Sequence, residues 1–332
     1  EEFSEYIKTV PDANFTVNEE DSITFEAAEN LYMSGDCKKS IKGFRDYLKK
    51  FPIGFFSVNA NYYLADCLMK ENKKDSALIS FMFICSSPKN MFTEKSLLNA
   101  ANISYETKQY KQANTLYKRL QQETEINNHK ALAEIGIMRT DFYLSQFESA
   151  LASAQKVLSI AKNTNSINDE ANYIIAKSYY STSDTVNALK EFTKLKKSKN
   201  GDYSGEANYI FAENAFNNQK YGDAEKLILA ISANPTSEYW LAKSIILLGD
   251  VYVKKNKNMI AKQTYQSIVE NYDGEELVEL AKSKIEVIEN AENAIKEKAQ
   301  IKAQQTKEEV DEIIIDGSNS NKKPLPEANS AQ

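Results

Sequence analysis

Residues 47–81 read YLKKFPIGFFSVNANYYLADCLMKENKKDSALISF, and two small residues in this stretch decide the fold. Ala65 sits among Tyr62, Leu64 and Leu68, an apolar set at the spacing of one helix face. Twelve residues on comes Ala77, followed four residues later by Phe81, beyond a polar turn that no apolar residue crosses. The same arrangement recurs along the chain. Ser40 precedes Phe44, Ala77 precedes Phe81, Ala113 precedes Tyr117, Ala150 precedes Ala154, Ala188 precedes Phe192, Ala224 precedes Ile228 and Ala261 precedes Tyr265. The leading residues are separated by 37, 36, 37, 38, 36 and 37 positions, a period too regular to be chance.

Twelve residues before each leading residue stands another position that is small in six of seven cases: Ala28, Ala65, Ala101, Met138, Ala176, Ala212 and Gly249. Each unit is therefore expected to be two antiparallel helices, A and B, joined by turns such as Met33-Ser34-Gly35-Asp36 or Thr107-Lys108-Gln109. Small residues mark where the two backbones approach, and a bulkier side chain there would overpack the contact by about 1–3 kcal/mol. A single pair cannot bury its own apolar face, so neighbouring pairs must stack. The expectation is an all-α, right-handed α-α superhelix of about seven helix pairs over residues 22–274. Residues 1–21 would be the end of a preceding repeat, with Phe3, Tyr6, Ile7 and Pro11 as its closing turn. A capping helix would follow over 275–311, carrying Leu277, Leu280, Ala281, Ile285, Ile288 and Ile295 on one face, then a disordered tail over 312–332.

The first two units, with Ala28, Leu31, Tyr32, Gly35-Asp36, Phe44, Tyr47 and Phe51-Pro52, then Ala60 to Ala65, Ala77, Phe81 and Pro88, resemble the tetratricopeptide repeat. The period of 36–38 residues and the phrases at 47–52 and 59–67 resemble multi-repeat tetratricopeptide proteins of the Gram-negative cell envelope. That resemblance implies a periplasmic or envelope location, the sequence itself leaving a cytoplasmic one open, together with a non-enzymatic scaffold and a peptide or protein partner held on the concave A-helix face. It departs from the family at Met138, at Asp141, and at Ala154 where an aromatic residue is expected.

Composition agrees with a helical, ordered chain. Gly and Pro number 10 and 6 among 332 residues, too few for a loop-rich fold. The 47 Asp+Glu exceed the 41 Lys+Arg, giving a net charge of −6 that disfavours nucleic acid as partner. No apolar run approaches the ~20 residues of a membrane-spanning helix. Three cysteines, Cys37, Cys67 and Cys85, are odd in number and widely spaced, and are expected to be buried small residues outside any disulfide framework. His129, the single histidine, is expected to be an exposed residue of an inter-repeat turn. With no phosphate-binding glycine loop, no metal-ligand motif and no strand to carry one, neither a catalytic site, a metal nor a cofactor is expected.

Two ladders of large side chains should run along the A helices. Four residues after the small position stand Tyr32, Met69, Tyr105, Phe142, Tyr180, Phe216 and Val253; three residues before it stand Phe25, Tyr62, Leu98, Ile135, Tyr173, Tyr209 and Ile246. One residue after it stand Glu29, Asp66, Asn102, Arg139, Lys177, Glu213 and Asp250. The resemblance makes Tyr32, Tyr62, Tyr105, Arg139, Phe142, Tyr173, Lys177, Tyr180, Tyr209, Glu213 and Phe216 candidates for a partner-binding groove, with Tyr173, Tyr180, Tyr209 and Phe216 gathered in units five and six. Ladders at this spacing are equally the contact between adjacent A helices, and that reading is preferred for Phe25, Leu98, Ile135 and Ile246. A Tyr tends to keep its phenol at the edge of a core, which suits a binding surface. Aromatic faces also stack on sugars, so a glycan-binding module is a second reading; a carboxylate-dependent hydrolase is a third.

Overall fold

A computed structural model describes residues 16–160 and 164–319, with side chains to residue 306. Phe3, Tyr6, Ile7, Pro11 and the tail from residue 320 lie outside the described residues. Fifteen helices and no strand occur among those described. They are α1 (Val17–Met33), α2 (Cys37–Lys50), α3 (Ser57–Lys70), α4 (Lys74–Ser86), α5 (Thr93–Glu106), α6 (Tyr110–Glu123), α7 (Asn127–Tyr143), α8 (Phe147–Ser159), α9 (Asn165–Ser181), α10 (Thr185–Leu195), α11 (Gly201–Asn217), α12 (Tyr221–Ala233), α13 (Glu238–Lys254), α14 (Asn258–Asn271) and α15 (Glu275–Asn319). Odd-numbered helices α1 to α13 are the A helices and even-numbered ones the B helices. The all-α helix-pair repeat read from the sequence is the observed architecture.

The pairs form two compact units. Unit 1, ending at Lys199, holds the first five pairs; unit 2, starting at Asn200, holds the last two pairs and α15. Helix α1 starts at Val17, held by a Thr16 side chain that accepts from the Glu19 N–H while the Glu19 carboxylate accepts from the Thr16 N–H. The helical array thus begins inside the 1–21 segment. Its C-terminal helix runs 45 residues to Asn319, past residue 311, where composition alone ends it. At 1.5 Å per residue that is about 67 Å. Leu277, Ala281 and Ile288 of its first turns are buried against α13 and α14.

One backbone detail explains the period. Each A-to-B turn places one residue in the left-handed region: Gly35, Asn72, Lys108, Ser145, Ser183, Gln219 and Asn256. Each lies five positions before the leading residue of helix B. The next N–H reaches back to a carbonyl of the A helix, as in Asp36 to Leu31, Lys73 to Leu68 and Gln109 to Ser104. Six of the seven are not glycine, so the repeat tolerates a local cost of roughly 1–2 kcal/mol at each.

Small-to-large matching fills the contact between A and B. At Gly249 a Cβ would stand 2.2 Å from the Tyr265 ring, so only glycine fits. In pair four the sizes are exchanged: Met138 on the A helix and Ala150 and Ala154 on the B helix are all fully buried in one core cluster. The large side chain has moved to the other helix, a volume-conserving swap. Gly136, two residues before Met138, admits the Tyr117 ring of the preceding pair, which a Cβ would meet at 2.5 Å.

Two sequence expectations are corrected. Cys37 and Cys67 form a disulfide, 30 residues apart. Cys37 opens α2 and Cys67 lies in the third turn of α3, so the period itself brings helix B of one pair beside helix A of the next. Cys85 is free and buried, as expected, and burial pushes its thiol up to about 11. His129 is not an exposed turn residue. It lies in the first turn of α7, partly buried, with Nδ1 3.0 Å from Glu94 Oε2.

Candidate functional site

The ladder face is held together by its own polar residues. Tyr32 Oη donates to Asp66 Oδ2 at 3.0 Å, its ring stacks on Tyr63 at 4.5 Å, and Lys70 bonds Asp66 while lying over the Tyr32 ring. Asn102 accepts from Tyr117 Oη, Glu213 from Tyr209 Oη, and Asp250 from both Tyr265 Oη and Lys284 Nζ. Arg139 makes a two-pronged pair with Glu170, Nε to Oε1 and Nη2 to Oε2, both at 2.7 Å. This pairing, from α7 to α9, holds the guanidinium charged even more firmly than usual. Polar residues that follow the small positions therefore first satisfy phenols and neighbouring helices. Burial, with the Asp66 bond second, raises the Tyr32 phenol above its ordinary value; burial, opposed by Arg139 and aided by Glu106, raises Tyr117 to about 12.

The aromatic candidates divide. Tyr62 is buried, stacked on Phe92 at 4.2 Å with Lys95 over its ring, and is part of the core. Tyr209 is buried against Trp240. Lys243 lies over Tyr209, Tyr239 and Trp240 together, 4.9–5.9 Å from their centroids. Phe216 is partly buried beside Tyr221. In unit 1, Tyr180 stands edge-on to Phe192 with Lys177 over its ring, and Tyr173 is partly buried on the same helix. Tyr173 and Tyr180 belong to unit 1, and Tyr209 and Phe216 to unit 2.

A different grouping emerges around Tyr105 and Phe142. Tyr110 and Tyr143 stack face to face, centroids 4.5 Å apart and 6° from parallel, with Tyr105 packed against both. Phe142 meets Tyr143 edge-on, and Tyr143 is 53% exposed. Desolvation first, then the neighbouring Tyr143, pushes the Tyr105 phenol up. Beside this platform a shallow depression of about 610 Å³ is lined by Tyr110, Leu144, Lys108, Lys111, Gln112 and Thr115. An apolar platform beside Lys108, Lys111 and the Arg139–Glu170 pair can take aromatic or aliphatic side chains of a peptide and hydrogen-bond its backbone. Neither Tyr110 nor Tyr143 was on the sequence ladders. Tyr110 opens a B helix, and Tyr143 follows Phe142 by one residue, so period-based selection of A-helix positions passes over both.

Unit 2 carries a cleft of about 830 Å³ between the start of α13 and the end of α14, lined by Leu241, Ile245, Ile268 and Tyr272 with Glu238 and Asn271 at its edge. It lies off the ladder face. Among the described residues no three His, Cys, Asp or Glu side chains gather as a metal site, and no helix is long and apolar enough to cross a membrane.

The model of the tetratricopeptide repeat-like domain family matches residues 104–290, more than half of the chain. The chain belongs to the tetratricopeptide repeat-like family. Among solved structures, the apo form of RapI shares 13% identity over 79% of this chain and 80% of its own, with a TM-score of 0.53. The C-terminal part of a TPR repeat-containing protein from Cytophaga hutchinsonii shares 16% identity over 77% and 98%, with a TM-score of 0.51. A tetratricopeptide repeat protein from Parabacteroides merdae shares 16% over 81% and 98%, at 0.42. At these identities the likeness is one of fold. No curated protein sequence matches. The tetratricopeptide-like fold is commonly a protein–protein interaction scaffold.

Proposed function

We propose that the protein is a non-enzymatic scaffold that binds an extended peptide or a segment of a partner protein on unit 1, where the ends of the A helices α5 and α7 meet the start of the B helix α6. The stacked Tyr110–Tyr143 pair with Tyr105 carries this reading. Aromatic side chains held rigid by stacking lose little entropy on binding, and Tyr is favoured at binding hot spots. Two lysines and a fixed Arg–Glu pair supply polar recognition beside the platform. No nucleic acid is expected as partner, given the net charge of −6. The glycan reading has less support, because Trp240 is already flanked by Tyr209 and Tyr239 and covered by Lys243.

The proposed setting is an oxidising compartment, as in a bacterial envelope assembly. The Cys37–Cys67 disulfide supports it, since such bonds persist outside reducing cytosol. Selection of binding peptides from a displayed random library, followed by titration against Tyr143→Ala, tests the binding function. Selected peptides should lose about tenfold or more in affinity for the variant. Equal affinity for native protein and variant, across all selected peptides, would refute the site.

A further inference from the structure

We infer that the far half of α15 is a self-association surface, covered by the same segment of a second copy laid antiparallel to it. Leu277, Ala281 and Ile288 are buried against α13 and α14, and Lys262 of α14 bonds Glu292 at 2.8 Å. Beyond Glu292 every residue whose side chain is described, 293–306, is exposed, yet the helix continues to Asn319. Residues 293–319 span roughly 40 Å of helix. The stripe that α15 turns to its own repeats, Ala281, Ile285 and Ile288, continues at the helical period as Ile295, Ala299, Ala303, Thr306, Val310, Ile313 and Gly317. Ile295 is 69% exposed. A helix that faced only water would not need an uncharged face over this length.

Two patterns along this segment point to a second copy as the occupant. The first is size. Thr306 is the midpoint of 293–319, and a twofold antiparallel pairing about it sets Ile295 level with Gly317, Ala299 with Ile313 and Ala303 with Val310. Large thus meets small at each level, the same matching that fills the contacts between A and B helices. Thr306 meets its own counterpart. Its hydroxyl already donates to the Lys302 carbonyl at 2.9 Å, so it brings no unsatisfied donor into the seam.

The second pattern is charge. At the helical period Lys298, Lys302, Glu309 and Asp316 fall on one flank of the stripe, and Lys296 and Lys307 on the other. Antiparallel helices related by a twofold axis bring like flanks together, which opposes Lys302 to Glu309 and Lys298 to Asp316, each pair twice. A parallel pair would instead bring Lys298 and Lys302 beside Lys296 of the other copy, like charge against like. The paired segment starts past Glu292, so the repeats of the two copies lie at opposite ends of it and do not collide. The inference does not depend on the peptide site of unit 1.

The test is sedimentation velocity of the full chain over a concentration series reaching well into the micromolar range. The native protein should reach twice the 37.5 kDa chain mass. Lys298→Glu with Lys302→Glu should weaken association at least about tenfold. Adding Glu309→Lys and Asp316→Lys, which exchanges the signs and keeps the pairing, should restore it. All four positions lie beyond Glu292, and the unfolding transition of Trp240 serves as the folding control. Orientation is read separately: on mild oxidation Thr306→Cys should crosslink between copies and Ala299→Cys should not. A native chain that stays at monomer mass overturns the inference and leaves the stripe to a helix of another protein. So does a dimer that the double change leaves intact, or a quadruple variant that stays dissociated. Crosslinking at position 299 as efficient as at 306 would make the pair parallel and overturn it as well.

Discussion

Replacing Gly249 with alanine tests the small-to-large matching that defines the repeat. The added Cβ would lie 2.2 Å from Cε1, 2.6 Å from Cζ and 2.7 Å from Cδ1 of Tyr265. That ring is fully buried and tethered by its hydroxyl to Asp250 Oδ1 at 2.7 Å. It cannot swing into solvent, so relief requires backbone separation or a broken hydrogen bond. Overpacking costs about 1–3 kcal/mol, and loss of a hydrogen bond to a charged group about 1.5–3 kcal/mol. The expected destabilisation is therefore roughly 3–5 kcal/mol when both occur. Trp240, the single tryptophan, lies on the same helix and reports unfolding of unit 2 by fluorescence in guanidinium. Combining Gly249→Ala with Tyr265→Leu should recover about 2 kcal/mol relative to the sum of the single changes. A loss below about 0.5 kcal/mol for Gly249→Ala, or additive double-variant behaviour, would refute the packing argument.

Three further outcomes follow from particular residues. Reducing the Cys37–Cys67 bond, or replacing both cysteines with alanine, should destabilise unit 1 by about 3.6 kcal/mol for a 30-residue loop. The Trp240 transition of unit 2 should be unmoved; a reduced protein that melts like the oxidised one would contradict the pairing. Gln219→Gly should stabilise unit 2 by up to ~1 kcal/mol, because glycine adopts the left-handed turn without a Cβ clash. Destabilisation in the same guanidinium titration would show that the turn is not strained.

Glu94 gives the pH dependence. The Thr124 hydroxyl, then His129, holds its carboxyl below the ordinary 4.5. A lowered folded-state value means that its contribution is complete above the unfolded value of about 4.5 and is lost as pH falls through the folded one. Thermal melts of native protein and Glu94→Gln should therefore differ by a constant amount near neutrality and converge in acid. A gap that widens on acidification would reverse the sign.

The architecture was legible because a period of 36–38 residues needs only small residues at fixed positions, and helical spacing supplies the rest. The seven left-handed turn residues were hidden, since Gly, Asn, Lys, Ser and Gln share the same backbone state and identity alone does not mark it. Met138 and Ala154 read as separate departures; packing shows one exchange of bulk between two helices. The disulfide was missed because an odd cysteine count conceals a pair when the third thiol is simply buried. On the ladder face, position was predictable but partnership was not. Tyr62 and Tyr209 sit in the core, whereas Tyr143, outside the ladder, is exposed. Whether a phenol faces solvent depends on what the next pair brings over it, which a single repeat does not encode.

The central claim is that partner segments lie on the Tyr105–Tyr110–Tyr143 platform. A photo-crosslinking amino acid at position 143, compared with one at the exposed Ile79 of α4, measures this directly in the presence of a selected binding peptide. Crosslinking at 143, competed by unlabelled peptide and absent at 79, is the predicted result. Crosslinking at 79 but not at 143 would contradict the account.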